Sequence, residues 1–437
     1  MKLANAVKRC FKRSNGGFAT EKDIRSLLKV PESGGVVIGG YDGKPMIYGG
    51  DNHVVVVSGL LSGKGIGLVV PTLMTCRGSV VVYDACGELY AKTAKYREDM
   101  GQRVIRFAPG DADSAQFNPL DTVRFGTKHE FDDIKGVAAA VCPPVSHFDK
   151  WAFCVVTALL LHSINQHGQA FTLADAYSSS QQPGIVEELA HSADGLARMA
   201  AKDLMRLSDN EVSGILSTVA HCLAVYGDTS VAQATSSSDF SLDELQNGAV
   251  PVTLYLVTDC ADAKRVTRVH QALLALVIKR GLSATIRYQD GHIVPHYRHK
   301  LLLLLDEYTR FERGVYGLAY GLAFMASYGI QSYITVRIIS RDDTIIETMD
   351  REGIMANSHI RIFFTPSFAP TAEYISGQLG DVVEDGCSKP LLTPDEVFRL
   401  QPGPMASVRN TCLTLRAGNA PILGSVVPCW DTFWKRM

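Results

Sequence analysis

A lysine among small residues and an acidic pair behind a run of leucines are the groups in this chain best suited to chemistry. Ser58-Gly59-Leu60-Leu61-Ser62-Gly63-Lys64-Gly65 follows the apolar run Val54–Val57 and precedes helix-compatible sequence. Loop and helix N-terminal N–H groups in that layout point at an anion, and Lys64 supplies a point charge for β- and γ-phosphates. Far downstream, Leu301–Leu305 end in Asp306-Glu307. Five leucines closing on two acids have the character of a Walker B strand. Asp306 would hold Mg²⁺, and Glu307 would polarise the attacking water. In this order the two motifs make nucleotide hydrolysis the leading expectation, with ATP and Mg²⁺ as ligands.

Each motif has a plainer reading. The consensus phosphate loop starts with glycine and follows its lysine with Ser or Thr, whereas Ser58 and Gly65 stand at those places. The stretch would then be a tight glycine turn. A dinucleotide site is the rival enzyme reading, because Asp84 ends the next strand where a ribose-binding acid would sit. The glycines Gly63, Gly65 and Gly67 do not fit that fingerprint, however, and it leaves Lys64 and the acidic pair without a role. Asp306-Glu307 could simply cap a turn. Arg310, Arg313 and Arg337 lie on or near the same strand edge, and each could meet phosphate or be a surface residue.

The elements that must position these groups alternate. Strand-like runs occur at 54–57, 79–83, 103–107, 251–257, 300–305, 332–336 and 359–364, with helical stretches such as 263–282 and 311–328 between them. This implies an open, mostly parallel α/β sheet with helices on both faces and ligands at the C-terminal strand edge. From about 130 to 235 the strand runs disappear. Helical spacing takes over at 150–165, 184–207 and 211–226, broken by Ser/Gln-rich turns, and reads as an all-helical insertion. A further strand is possible at 411–415.

Composition excludes several classes. A net charge of −2 gives no bulk attraction to nucleic acid, so any DNA contact needs a local basic patch. No apolar run approaches the ~20 residues of a membrane span. The ten cysteines are scattered, without a C-x-x-C pair, which favours buried thiols in a reducing compartment over a zinc or disulfide scaffold. Residues 1–20 form a basic tail, a solvated end or a segment lying near an anionic membrane face.

Taken together, these residues resemble the VirD4/TraG coupling proteins of type IV secretion and conjugation. The match is carried by Ser62-Gly63-Lys64-Gly65-Ile66-Gly67 through Pro71, Asp84-x-x-Gly87-Glu88, and Phe117-Asn118-Pro119-Leu120. It continues through Ala234-Thr235-Ser236-x-Ser238-Asp239-Phe240, Leu303-Leu304-Leu305-Asp306-Glu307, Tyr328-Gly329-Ile330 and Pro390-Leu391-Leu392-Thr393-Pro394. Glycine after the lysine is common in that family. The resemblance implies a RecA-like P-loop ATPase with an inserted all-α domain. On this reading residues 21–130 and 236–437 form the nucleotide-binding domain and 131–235 the all-α domain. It further implies a homo-hexamer at the cytoplasmic face of the bacterial inner membrane. The partners it implies are type IV secretion channel proteins, relaxase or relaxosome or effector proteins, and single-stranded DNA.

Departures surround the nucleotide. Family members begin with transmembrane helices, and no such run is present, so the chain is expected to be a soluble member or a cytosolic fragment. Cys86 stands where the family has lysine, Arg337 where it has a glutamine sensor, and Gly59-Leu60 where it has Pro-Thr. Two readings follow. In the first, ATP sits on Ser58–Gly65, Lys64 and Glu307 act in hydrolysis, Asp306 holds Mg²⁺, and Arg310, Arg313 or Arg337 of a neighbouring subunit completes the site. In the second, the chain is a catalytically weak or inactive cargo receptor whose nucleotide fold serves assembly. Arg337 is expected either to clamp nucleotide or to pair with the acidic pair.

Overall fold

The computed structural model describes residues 17–59, 61–259, 263–290, 292–311, 313–337, 348–384, 387–400, 410–431 and 434. Most of the basic tail therefore lies outside the described residues. In chain order the strands of the main sheet are β1 (Val54–Val57), β2 (Ser79–Asp84), β3 (Arg103–Phe107), β4 (Val252–Val257) and β5 (Leu301–Leu305). They are followed by β6 (Ile330–Val336), β7 (Ile360–Phe364), β8 (Thr411–Arg416) and β9 (Ile422–Ser425). Among the described residues these form a nine-stranded sheet in the order β9-β8-β7-β1-β6-β5-β2-β4-β3. All neighbours are parallel except β7–β8 and β8–β9, which close one edge antiparallel.

Both faces of the sheet are covered, which is why its central strands read as unbroken apolar runs. Alternate residues feed two cores. Val55, Val57, Leu303 and Leu305 pack on one side, and Val54, Val56, Leu302 and Leu304 on the other. Every leucine of β5 is buried, and each contributes roughly 2 kcal/mol by leaving water. The second face is roofed by the helix Val70–Thr75 and by a hairpin, Val36–Tyr41 with Lys44–Tyr48. Asp42 and Gly43 turn that hairpin with φ of 48° and 74°, the positive pair that a two-residue hairpin turn needs.

Between Phe107 and Val252 every regular element among the described residues is helical. The first α-helix, Glu130–Val141, packs on Ala263–Leu282, and Asp133 on it takes two hydrogen bonds from the Arg124 side chain at 2.7 and 2.8 Å. The apolar interior of this block is continuous with the core under β1, β2 and β5.

Two helical expectations change. The stretch 184–207 divides into Ile185–Ala190 and Gly195–Leu204, because Asp194 caps a new helix by accepting from the N–H groups of Leu196 and Ala197. The stretch 311–328 is helical only from Leu318 to Met325, with a short 3₁₀ turn after it. Gly314 and Gly317 take φ of 68° and 83°, so the chain cannot enter a helix before them. No described helix is long and apolar enough to cross a membrane.

Candidate nucleotide site

The site forms where β1, β6 and β5 end side by side. The Ser58 N–H donates to the Val336 carbonyl at 3.0 Å, so the loop leaves β1 still attached to β6. Leu60 lies outside the described residues. Leu61 and Gly63 turn the loop with φ of 55° and 81°, and Leu61 is wholly exposed. A Cβ placed on Gly59 or Gly65 would meet no atom within 4 Å, so these positions present bare backbone to open space. Gly67 has the opposite constraint, since a Cβ there would lie 2.4 Å from Val426. The helix behind the loop opens with a π turn, Gly65–Val69, and continues as Val70–Thr75. The wider turn admits Pro71, which has no N–H to donate.

Lys64 points across to β5. Its Nζ donates to Asp306 Oδ1 at 2.8 Å and to Thr335 Oγ1 at 3.3 Å, and stands 3.8 Å from Glu307 Oε1. Thr335 on β6 donates its hydroxyl to Asp306 Oδ1 at 2.6 Å and accepts the Glu307 N–H at 2.8 Å. Glu307 holds φ of 55°, a left-handed position that non-glycine residues seldom occupy. Its Oε2 accepts from Arg310 Nε at 2.6 Å and from Arg337 Nη2 at 3.0 Å. Burial pushes the Glu307 carboxyl up, but the Arg310 hydrogen bond, the Lys64 charge and Arg337 together outweigh it and hold it below the ordinary glutamate range.

Arg313 does not join this group. It bonds the Asp149 carboxylate at 3.2 and 3.3 Å, on the helix His147–His167 of the helical block. Asp84 is buried and capped: the Tyr90 N–H donates to its Oδ2 at 2.7 Å. Burial raises its carboxyl above the usual range despite N–H bonds from Tyr90, Leu89 and Cys86. An acid engaged in this way caps the helix Glu88–Asp99 and is not presented to a ribose, which removes the dinucleotide reading's main support. Cys86 is disulfide-bonded, contrary to the all-thiol expectation, while the other described cysteines are free.

Three members were not expected from sequence. Thr335 was hidden because threonine is an ordinary strand residue. Its one signal was a hydroxyl in the otherwise apolar end of β6. Asn410 donates its side-chain N–H to the Ser62 carbonyl, and the Cys429 N–H donates to Ile66 O at 2.8 Å. Nothing local to the loop announces those contacts.

The residues fit a Mg²⁺-nucleotide. Ser58 Oγ and Ser62 Oγ are buried without a hydrogen-bond partner among the described residues, which leaves polar atoms in the loop for phosphate oxygens. No group of three or more metal-ligating side chains occurs among the described residues. A cation at Asp306 would therefore complete its shell with phosphate and water oxygens, as Mg²⁺ does.

Fold and geometry define the class: a RecA-like α/β protein with a helical block between its strands. Residues 13–389 match the family described as type IV secretory system conjugative DNA transfer, and the chain belongs to that family. Conjugal transfer protein TraG of Escherichia coli is 31% identical over 434 residues, spanning 86% of this chain and 67% of that one. VirD4 of Agrobacterium fabrum is 26% identical over 355 residues, and the match spans 78% of this chain and 51% of VirD4. Among solved structures, the conjugative coupling protein TrwBΔN70 with sulphate superposes with a TM-score of 0.73 at 16% identity, over 95% of this chain and 94% of that one. TrwB in complex with ADP and Mg²⁺ gives 0.69 at 14% identity, over 95% and 94%. At such identities the likeness is one of fold.

Proposed function

We propose that this chain hydrolyses Mg·ATP to recruit DNA–protein or effector substrates and feed them into a type IV secretion channel. The observation that carries the reading is the cross-strand contact of Lys64 with Asp306 and Thr335, at 2.8 and 3.3 Å, beside an open glycine loop. Nucleotide phosphates would draw the Lys64 ammonium away from Asp306, because they carry more negative charge. Ser58 through Gly65 would donate N–H groups to those phosphates. Asp306, freed of Lys64 and still oriented by Thr335, would hold Mg²⁺, which offsets phosphate charge when bound. Glu307 would orient the attacking water once it leaves Arg310 and Arg337.

Residues 131–235 are proposed as the separate cargo-recognition domain of such a machine, with residues 21–130 and 236–437 as the nucleotide-binding domain. The support is the helix-only composition of that stretch. Relaxase-bound single-stranded DNA or effector proteins are the cargo this reading takes. A homo-hexamer docked on the inner-membrane face beside the channel proteins is the proposed working form. The relatives named for conjugal transfer support the transfer role.

A second reading is favoured by one observation: both arginines hold the carboxylate that hydrolysis needs. In that reading the chain is a slow or inactive receptor. Steady-state ATPase measurement with and without single-stranded DNA separates the two. Lys64→Ala should reduce turnover on the order of 100-fold, with an unchanged circular dichroism spectrum. Unchanged ATP binding and turnover in Lys64→Ala would remove the phosphate-loop assignment.

A further inference from the structure

Outside the nucleotide site, two sulfurs lie against each other in the helical block. Cys142 caps the C-terminal end of Glu130–Val141, and Cys222 sits in the last turn of Asp209–Leu223. The Sγ atoms are 3.0 Å apart across 80 residues of sequence, about 1 Å beyond the length of a disulfide bond. Both are free thiols. Packing rather than a bond holds them there, because Val137 and Ala138 on one helix and Ile215 and Val219 on the other belong to the same core.

The pair is asymmetric. Cys142 is fully buried, while Cys222 is partly exposed. Arg268, reaching from Ala263–Leu282, donates to the carbonyl of His221 at 2.8 Å and places its guanidinium beside Cys222. The contact with Cys142 lowers the Cys222 thiol against the cost of burial, and the Arg268 charge adds to that effect. The same contact and burial raise Cys142. One thiol is thus partly exposed and disposed to ionise, with the other waiting behind it, the arrangement of an attacking and a resolving cysteine.

We propose that Cys142 and Cys222 form a reversible dithiol–disulfide pair, a modification site for small hydroperoxides. The Cys222 thiolate attacks the peroxide oxygen, the O–O bond breaks, and the leaving oxygen departs after protonation, as water from hydrogen peroxide or as an alcohol from an organic hydroperoxide. Cys222 is then a sulfenic acid. Cys142 sulfur displaces its hydroxyl, which leaves as water, and the S–S bond forms. Two thiols are oxidised and one peroxide is reduced. The bond joins the end of the first helix of the block to the end of Asp209–Leu223, closing the intervening chain into one loop. Arg268 and the Arg313–Asp149 pair tie the same region to the nucleotide-binding core, so the modification fastens the block where it meets that core.

The test uses the full chain, reduced and then exposed to a slight molar excess of hydrogen peroxide, alkylated and digested without reductant. The expected product is a cross-linked peptide pair containing Cys142 and Cys222, two hydrogens lighter than the separate peptides and released by dithiothreitol. Exposed Cys154 and Cys387 serve as internal controls and should be recovered alkylated. The oxidised chain should melt a few degrees above the reduced one, because the closed loop constrains the unfolded state. Cys142→Ser should abolish that rise and leave Cys222 as a sulfenic acid that dimedone traps. Recovery of Cys142 and Cys222 alkylated after peroxide, or dimedone labelling of Cys222 in the parent as strong as in Cys142→Ser, would overturn the proposal. The peptide map of the parent decides the matter even if the variant fails to fold.

Discussion

Arg337→Gln should speed ATP turnover about fivefold. Arg337 Nη2 lies 3.0 Å from Glu307 Oε2, and Arg310 Nε reaches the same oxygen at 2.6 Å. At an effective dielectric near 20, opposite charges at that separation attract by about 5–6 kcal/mol before desolvation is counted. The Arg337 side chain is 40% exposed, however, so solvent and salt reduce the net contribution to on the order of 1 kcal/mol. If Glu307 must leave Arg337 before it can orient water, that energy adds to the barrier, and 1 kcal/mol corresponds to roughly a fivefold rate. Glutamine keeps a hydrogen bond without the charge. Arg310 continues to hold the carboxylate, so the single substitution releases it only in part, and Arg310→Gln with Arg337→Gln should be faster than either alone. The assay is coupled ADP release at saturating Mg·ATP, beside direct titration of nucleotide affinity. Affinity should stay level or tighten. Weaker binding with faster turnover would make Arg337 a clamp on the nucleotide, and no gain in turnover at unchanged affinity would refute the carboxylate-pairing argument outright.

Glu307→Gln should bind Mg·ATP as the parent does and lose turnover by two orders of magnitude or so. A variant as fast as the parent would show the acidic pair to be structural. Replacing residues 143–228 with a short Gly/Ser bridge should leave nucleotide binding but abolish capture of relaxase-bound DNA or effector protein. Undiminished capture would move recognition elsewhere in the chain. The cut begins after Cys142 because the preceding helix is anchored to Arg124 and to Ala263–Leu282. His270 lies buried beneath Tyr83 and Phe107, with ring centroids 6.0 and 5.8 Å away, and burial pushes it down to about 3. The unfolded chain binds that proton near pH 6.5, so its depressed pKa costs stability as pH falls below 6.5, at about 1.4 kcal/mol per unit. Between pH 7 and pH 5, the unfolding free energy of the parent from denaturant titration should therefore fall relative to His270→Phe, by about 2 kcal/mol. Parallel loss in both proteins would mean that His270 titrates normally.

The placement of the glycine loop and the acidic pair at strand ends was legible in the sequence because each follows an apolar run with no polar interruption, and such runs mark strands covered on both faces. The order of strands was not. Nothing in Val54–Val57 or Leu301–Leu305 says that β6 lies between them, yet that insertion brings Thr335 into contact with Lys64 and Asp306. Arg313 shows the limit of proximity along the chain. It lies six positions beyond Glu307, but the turn at Tyr308–Arg310 sends it to Asp149 while Arg310 turns back to the carboxylate. The helix expected over 311–328 failed at Gly314 and Gly317, where backbone conformation overrides apolar spacing. Fold class survives such errors because alternation of strands and helices is a property of the whole chain. Site geometry does not, because it depends on single side chains at strand ends.

The neighbours of the phosphate loop have a consequence for how the protein is made. β1 hydrogen-bonds to β6 and β7, Ser62 is fastened by Asn410, and Gly67 lies under Val426. A ribosome that has just synthesised Lys64 must still deliver more than three hundred residues before those supports exist. At about 5–20 residues per second, that is on the order of twenty seconds to a minute of synthesis. For most of that interval β1 has neither of its sheet partners, and its four valines are an unpaired apolar edge. The growing chain therefore has no assembled phosphate loop while it can still be caught by chaperones. Under the proposed nucleotide reading, occupancy would report that the last strands have docked, and a chain cut short before Asn410 would forfeit ATP even though every residue of the loop is present.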